Sequence, residues 1–182
     1  MAGKKTLNSS WKRQLSESLN HLALTVNSKV AIIGVGAELN GDDAVGILAV
    51  RKLKPKLSAR QNLLVLEGGS LPENLTGPLR RFSPELVMFI DAAELFEPPG
   101  TIRVLEPGQV TGASFSSHRM PLTLVFDYLT HEVKSKGLLI GVQPEVVEFG
   151  LPPSASGKRA VADVVREITH LFNPDETDNL RP

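Results

Sequence analysis

Cysteine is missing from all 182 residues. That absence removes disulfides, a thiol nucleophile, cysteine-rich zinc sites and cysteine-ligated iron–sulfur clusters together. Any metal chemistry must run through carboxylates and imidazoles, and the histidines are His21, His118, His131 and His170. Net charge is missing too. Lys and Arg number 20 against 20 Asp and Glu, so no long-range field favours nucleic acid or an anionic membrane. No apolar run approaches the roughly 18 residues that a membrane-crossing helix needs. What remains, 41% hydrophobic and 22% charged residues, is ordinary globular composition at a length that supports one core.

Met1 to Ser28 does not read as a signal peptide. Trp11, Leu15, Leu19 and Leu22 recur at helical intervals among polar residues, which predicts an amphipathic helix packed on the domain, capped by Ser9 or Ser10. The expected organisation is an accessory helical segment over 1–28, a single α/β domain over 29–173 and a polar tail over 174–182.

From Lys29 onward, short apolar runs alternate with amphipathic stretches. Val30–Val35 is continuously apolar, as a parallel strand covered on both faces should be. A helix over Asp43–Leu53 is expected to stop at Pro55. Asn62–Leu66, Leu86–Ile90 and Leu138–Val142 read as further buried strands, and Thr101–Leu105 as an edge strand. Shorter helices are expected over Pro72–Phe82 and Pro121–Lys134. Ser154 or Ser156 should cap a last helix ending at Phe172, with Val161, Val164, Val165 and Ile168 on its inner stripe. The predicted fold class is a three-layer αβα sandwich around a mostly parallel twisted sheet.

Ligands of such folds bind beyond the carboxyl ends of the strands, and polar residues gather there. Gly34-Val-Gly36 opens a loop that ends in Asp42-Asp43, Glu67-Gly68-Gly69 follows the second strand, and Asp91 ends the third. His118 sits in a serine-rich loop. The G-x-G turn begins a dinucleotide fingerprint without completing it, because Leu39 holds the third glycine's place. Two carboxylates where a helix should start repel a pyrophosphate and attract a cation. Each residue also has a plain reading: Asp42 as a cap or loop-ordering group, Glu38 and Glu67 as loop carboxylates, and His21, His131 and His170 as surface groups. Taken together, Asp43, Asp91 and His118 form an open oxygen and nitrogen set suited to a divalent metal of the zinc or nickel type.

The runs GVGAELNGDDAVG, LEGGSLPEN, FIDAAE with PPGTIRVL, SSHRMPL and LIGVQPEVVEFG resemble the nickel–iron hydrogenase maturation endopeptidases. Within that family the likeness is to the branch that processes the large subunit of the formate-hydrogenlyase type, hydrogenase 3. The match runs from about Val30 to Phe172. It implies a soluble cytoplasmic peptidase that removes a C-terminal extension from the large-subunit precursor after nickel insertion. It places the metal-contacting and catalytic residues on Asp43, Asp91 and His118. It also implies that nickel arrives with the substrate and is not a resident cofactor. Two positions depart from the family pattern: Ala37 replaces an asparagine, and Glu67 replaces an aspartate. A non-catalytic factor binding nickel and precursor through the same residues stays open as an alternative, as does a nucleotide enzyme using the G-x-G turn.

Overall fold

The computed structural model describes residues 3–25, 27–69, 75–107 and 127–173. Helix α1 (Gly3–His21) leads to β1 (Val30–Val35), a 3-10 turn (Gly41–Ala44), α2 (Val45–Leu57) and β2 (Leu63–Gly69). Then come α3 (Thr76–Phe82), β3 (Leu86–Ala92), β4 (Ile102–Leu105), a π-helical turn (Leu129–Val133), β5 (Lys136–Val142) and α4 (Ala155–Phe172). The strands form one sheet in the order β2-β1-β3-β5-β4. Every pairing is parallel except β4 with β5, so the predicted edge strand is the antiparallel one.

Alternation along the strands builds the layers. Val30 and Ile32 face one core with Leu86, Met88, Ile90, Leu138 and Ile140, and this core is covered by α1, α2 and α4. Ala31, Ile33, Val35, Val87, Phe89 and Leu139 face the other, covered by Leu75, by Leu79 of α3 and by Leu129 and Val133. A strand with both faces covered has no polar side to show, which is why β1 and β3 read as unbroken apolar runs. Each fully buried aliphatic side chain contributes about 1.5–3 kcal/mol relative to exposure. The three-layer αβα prediction matches this architecture.

Several boundaries differ from the sequence reading. Helix α2 does not stop at Pro55 but runs through it to Leu57. Proline there removes a single N–H in the last turn, while buried Leu53 and Leu57 still anchor that turn in the core. Strand β2 continues through Glu67 to Gly69, and β3 takes in Asp91. Pro78 lies in the first turn of α3, where a missing N–H has no helical acceptor to leave unfilled. Ser9 and Ser10 lie inside α1 and do not cap it, because the helix starts at Gly3. The loop expected over 111–117 and the start of the helix expected from Pro121 lie outside the described residues, as does the tail from 174.

Helix α1 packs firmly. Trp11 and Leu15 are fully buried in the same core as α2 and α4. Lys12 pairs with Glu167 of α4, and Lys136 donates to the Leu22 carbonyl at 2.8 Å.

Candidate active site

The strand order reverses at β1. The chain goes from β1 to β2 on one side and then to β3 on the other. Between the carboxyl ends of β1 and β3 the two connections diverge, leaving the crevice where open α/β sheets bind ligands. Helix α2 begins directly over this point. A Cβ on Gly46 would sit 2.2 Å from the Ile90 carbonyl and 2.3 Å from that of Val35. Only a glycine lets the helix come down onto both strands.

Asp43 enters this crevice from the β1 side and Asp91 from β3. Both are fully buried. Asp91 has the parity of Val87 and Phe89, so it projects toward the α3 side at the carboxyl end of β3. The 3-10 turn that carries Asp43 packs against β3. Asp43 Oδ2 accepts from the Ala37 N–H at 2.9 Å, which folds the loop back on itself. Gly36 makes that closure possible: its φ is 137°, and a Cβ would lie 1.8 Å from the Asp43 carbonyl. Water-excluded carboxylates are costly to keep, and they concentrate at sites that use them.

Asp42 points elsewhere. It is also fully buried, and its carboxylate accepts from the backbone N–H groups of Glu145 and Ser154 and from Ser154 Oγ, each at 2.8 Å. The expectation that Asp42 orders a loop is correct, though the helix it serves is α4 and not α2. The 3-10 turn has no side-chain cap. Ser154 does cap α4, accepting from the Gly157 N–H at 2.9 Å.

Glu38 and Glu67 converge on Arg51 of α2. The guanidinium grips Glu38 with two nitrogens, at 2.5 and 2.9 Å, and Glu67 with Nε at 3.0 Å. These hydrogen bonds hold the Glu38 carboxyl below its usual range and push Arg51 further up. The sequence suggested an acidic sheet edge made of Asp42, Asp43, Glu67 and Asp91. With Asp42 satisfied by amides and Glu67 by arginine, the edge narrows to Asp43 and Asp91. The Arg51 clamp was not anticipated, since a helix arginine beside two loop carboxylates has no sequence signature.

The clamp floors a cleft of about 790 Å³ whose walls include Leu39, Ile47, Leu75 and Phe149. The Gly36–Asn40 loop lines the cleft as well, whereas the buried Asp43 and Asp91 do not. His118, the third expected site residue, lies outside the described residues. Among the described residues no group of three His, Asp or Glu side chains is placed to hold a metal. His21, His131 and His170 are exposed, as expected of surface groups.

Residues 47–171 match the model of a family described as hydrogenase maturation protease, HycI. The chain belongs to the hydrogenase maturation protease family. Hydrogenase 3 maturation protease of Escherichia coli K12 is 30% identical over 138 residues, covering 75% of this chain and 86% of that protein. The crystal structure of a [NiFe] hydrogenase maturation protease HycI from Thermococcus kodakarensis superposes with a TM-score of 0.74 at 30% identity, covering 80% of this chain and 92% of that one. The solution structure of an endopeptidase HycI from Escherichia coli gives a TM-score of 0.65 at 30% identity, over 76% and 87% of the two chains. Membership in this family makes the chain a peptidase and fits the crevice, which is acidic where a nucleotide enzyme would need to receive phosphate.

Proposed function

We propose that this protein is a cytoplasmic endopeptidase that removes the C-terminal extension of a nickel-loaded [NiFe] hydrogenase large-subunit precursor. Asp43, Asp91 and His118 contact the precursor's nickel. One observation carries the reading: in a maturation-protease fold, two fully buried aspartates lie beside the topological switch point, Asp43 on the 3-10 turn after β1 and Asp91 at the carboxyl end of β3, and the turn packs against that strand. Carboxylate oxygens with an imidazole are suited to a divalent metal that keeps positions open for ligands. The chemistry fits a metal borrowed from the substrate and released with the product.

Hydrolysis adds the hydroxyl of a water to the scissile carbonyl and its proton to the departing amine. An aspartate beside the bond is equipped to take that proton and pass it on. Docking of a folded precursor fixes which bond lies there, so positioning supplies the selectivity. No thiol is available for covalent catalysis.

The test is mass spectrometry of the large subunit after incubation with nickel-loaded precursor. Asp43→Asn and Asp91→Asn, each folded by circular dichroism, are expected to slow processing by at least about 10²-fold, and His118→Ala to match them. Wild-type rates in any of the three would remove that residue from the site. Tight precursor binding by the wild-type protein without any mass change would make it a docking factor instead.

A further inference from the structure

Asp42 has no part in the chemistry just described, yet it is fully buried one residue from Asp43. Its partners all come from the segment that links β5 to α4. Beyond the three 2.8 Å bonds already given, the Val146 N–H approaches at 3.4 Å. The backbone ties the same two segments together: Asp42 N–H to the Val146 carbonyl at 2.8 Å, Gly41 N–H to Leu151 at 3.1 Å and Gly150 N–H to Leu39 at 2.7 Å. The first turn of α4 is shaped to admit the carboxylate, since a Cβ on Gly157 would stand 2.2 Å from Asp42 Oδ1. The positive end of the α4 dipole adds to the amide donors in holding this anion.

We infer that Asp42 is a positioning residue for Asp43. It straps the 145–154 segment and the head of α4 onto the 3-10 turn, and so fixes the direction in which the next side chain leaves the backbone. Asp43 N–H bonds the Asn40 carbonyl at 3.2 Å, and Asp43 Oδ2 takes the Ala37 N–H. A turn of four residues has no slack, so freeing Asp42 lets both bonds lengthen. This inference rests on the reading of Asp43 as a site residue.

Two variants test it. Asp42→Asn keeps the shape but, with its oxygen left on the donors that meet Oδ2, turns an NH₂ toward the Ser154 N–H. Ser154→Ala removes the hydroxyl partner and leaves Asp42 in place. Leu15→Ala, in the distant core of α1, serves as a control that lowers stability alone. The expected result is an upfield shift and faster exchange of the Ala37 amide proton in both strap variants. The kcat for precursor processing should fall roughly 10–100-fold, the effect of displacing a reacting group by up to an ångström, with KM within about twofold. Leu15→Ala should move neither. If the Ala37 amide stays at its wild-type position, or kcat per folded molecule matches that of Leu15→Ala, Asp42 is structural only and the inference is wrong. Should Asp42→Asn fail to fold, Ser154→Ala decides on its own. Were Asp43→Asn to process normally, the site assignment would fall, while the Ala37 amide would still report whether Asp42 positions Asp43.

Discussion

Four carboxylates sit on or beside one loop, and their partners divide them into separate tasks. Glu38 and Glu67 meet a guanidinium at the cleft, Asp42 meets amides at the head of α4, and Asp43 folds back on Ala37 in the crevice. Types and spacing picked out Asp43 and Asp91 because both follow apolar strands. They also set Asp42 apart as a cap or loop-ordering group, but could not say which segment it orders, because its partners Glu145 and Ser154 lie far along the chain. The Arg51 clamp carries its own expectation. Its hydrogen bonds lower the Glu38 pKa, so the pair steadies the folded loop above the unfolded glutamate's pKa. That contribution is lost as pH falls through the lower, folded value. Carboxyl-carbon NMR should place the Glu38 midpoint below that of a solvated glutamate, and Arg51→Gln should raise it. An unmoved midpoint in Arg51→Gln would mean the clamp does not form in solution.

The elements follow from periodicity, and the departures have local causes. β1, β3 and β5 were legible because parallel strands buried on both faces must be apolar throughout. The end of α2 was misjudged because Leu57, fully buried, holds its last turn past Pro55. Burial of α1 makes it part of the core's stability. Trp11→Ala should cost about 3–5 kcal/mol in denaturant unfolding; a loss below about 1 kcal/mol would show that α1 is loosely held. Gly46 controls how α2 meets the sheet. Gly46→Ala should cost at least about 1–3 kcal/mol, because the obstacles are the backbone carbonyls of Val35 and Ile90 and not movable side chains. Thermal melting at wild-type temperature would refute that close approach.

For the molecule as a whole, the strand order matters more than any single motif. Placing β1 between β2 and β3 brings the loop with Asp43 and the strand end with Asp91 to one crevice, though the two residues lie far apart in sequence. No helix among the described residues is long and apolar enough to cross a membrane. With no cysteine in the chain, Asp43, Asp91 and His118 would offer nickel oxygen and nitrogen donors, in keeping with the proposed sensing of the metal in the substrate. The proposed sensing of nickel is open to a comparison of two substrates. Incubate the protein with nickel-loaded and with nickel-free large-subunit precursor, and weigh the large subunit by mass spectrometry. The nickel-loaded precursor is expected to lose its C-terminal extension while the nickel-free one keeps its full mass. Equal cleavage of both, or cleavage of neither, would contradict the proposed sensing.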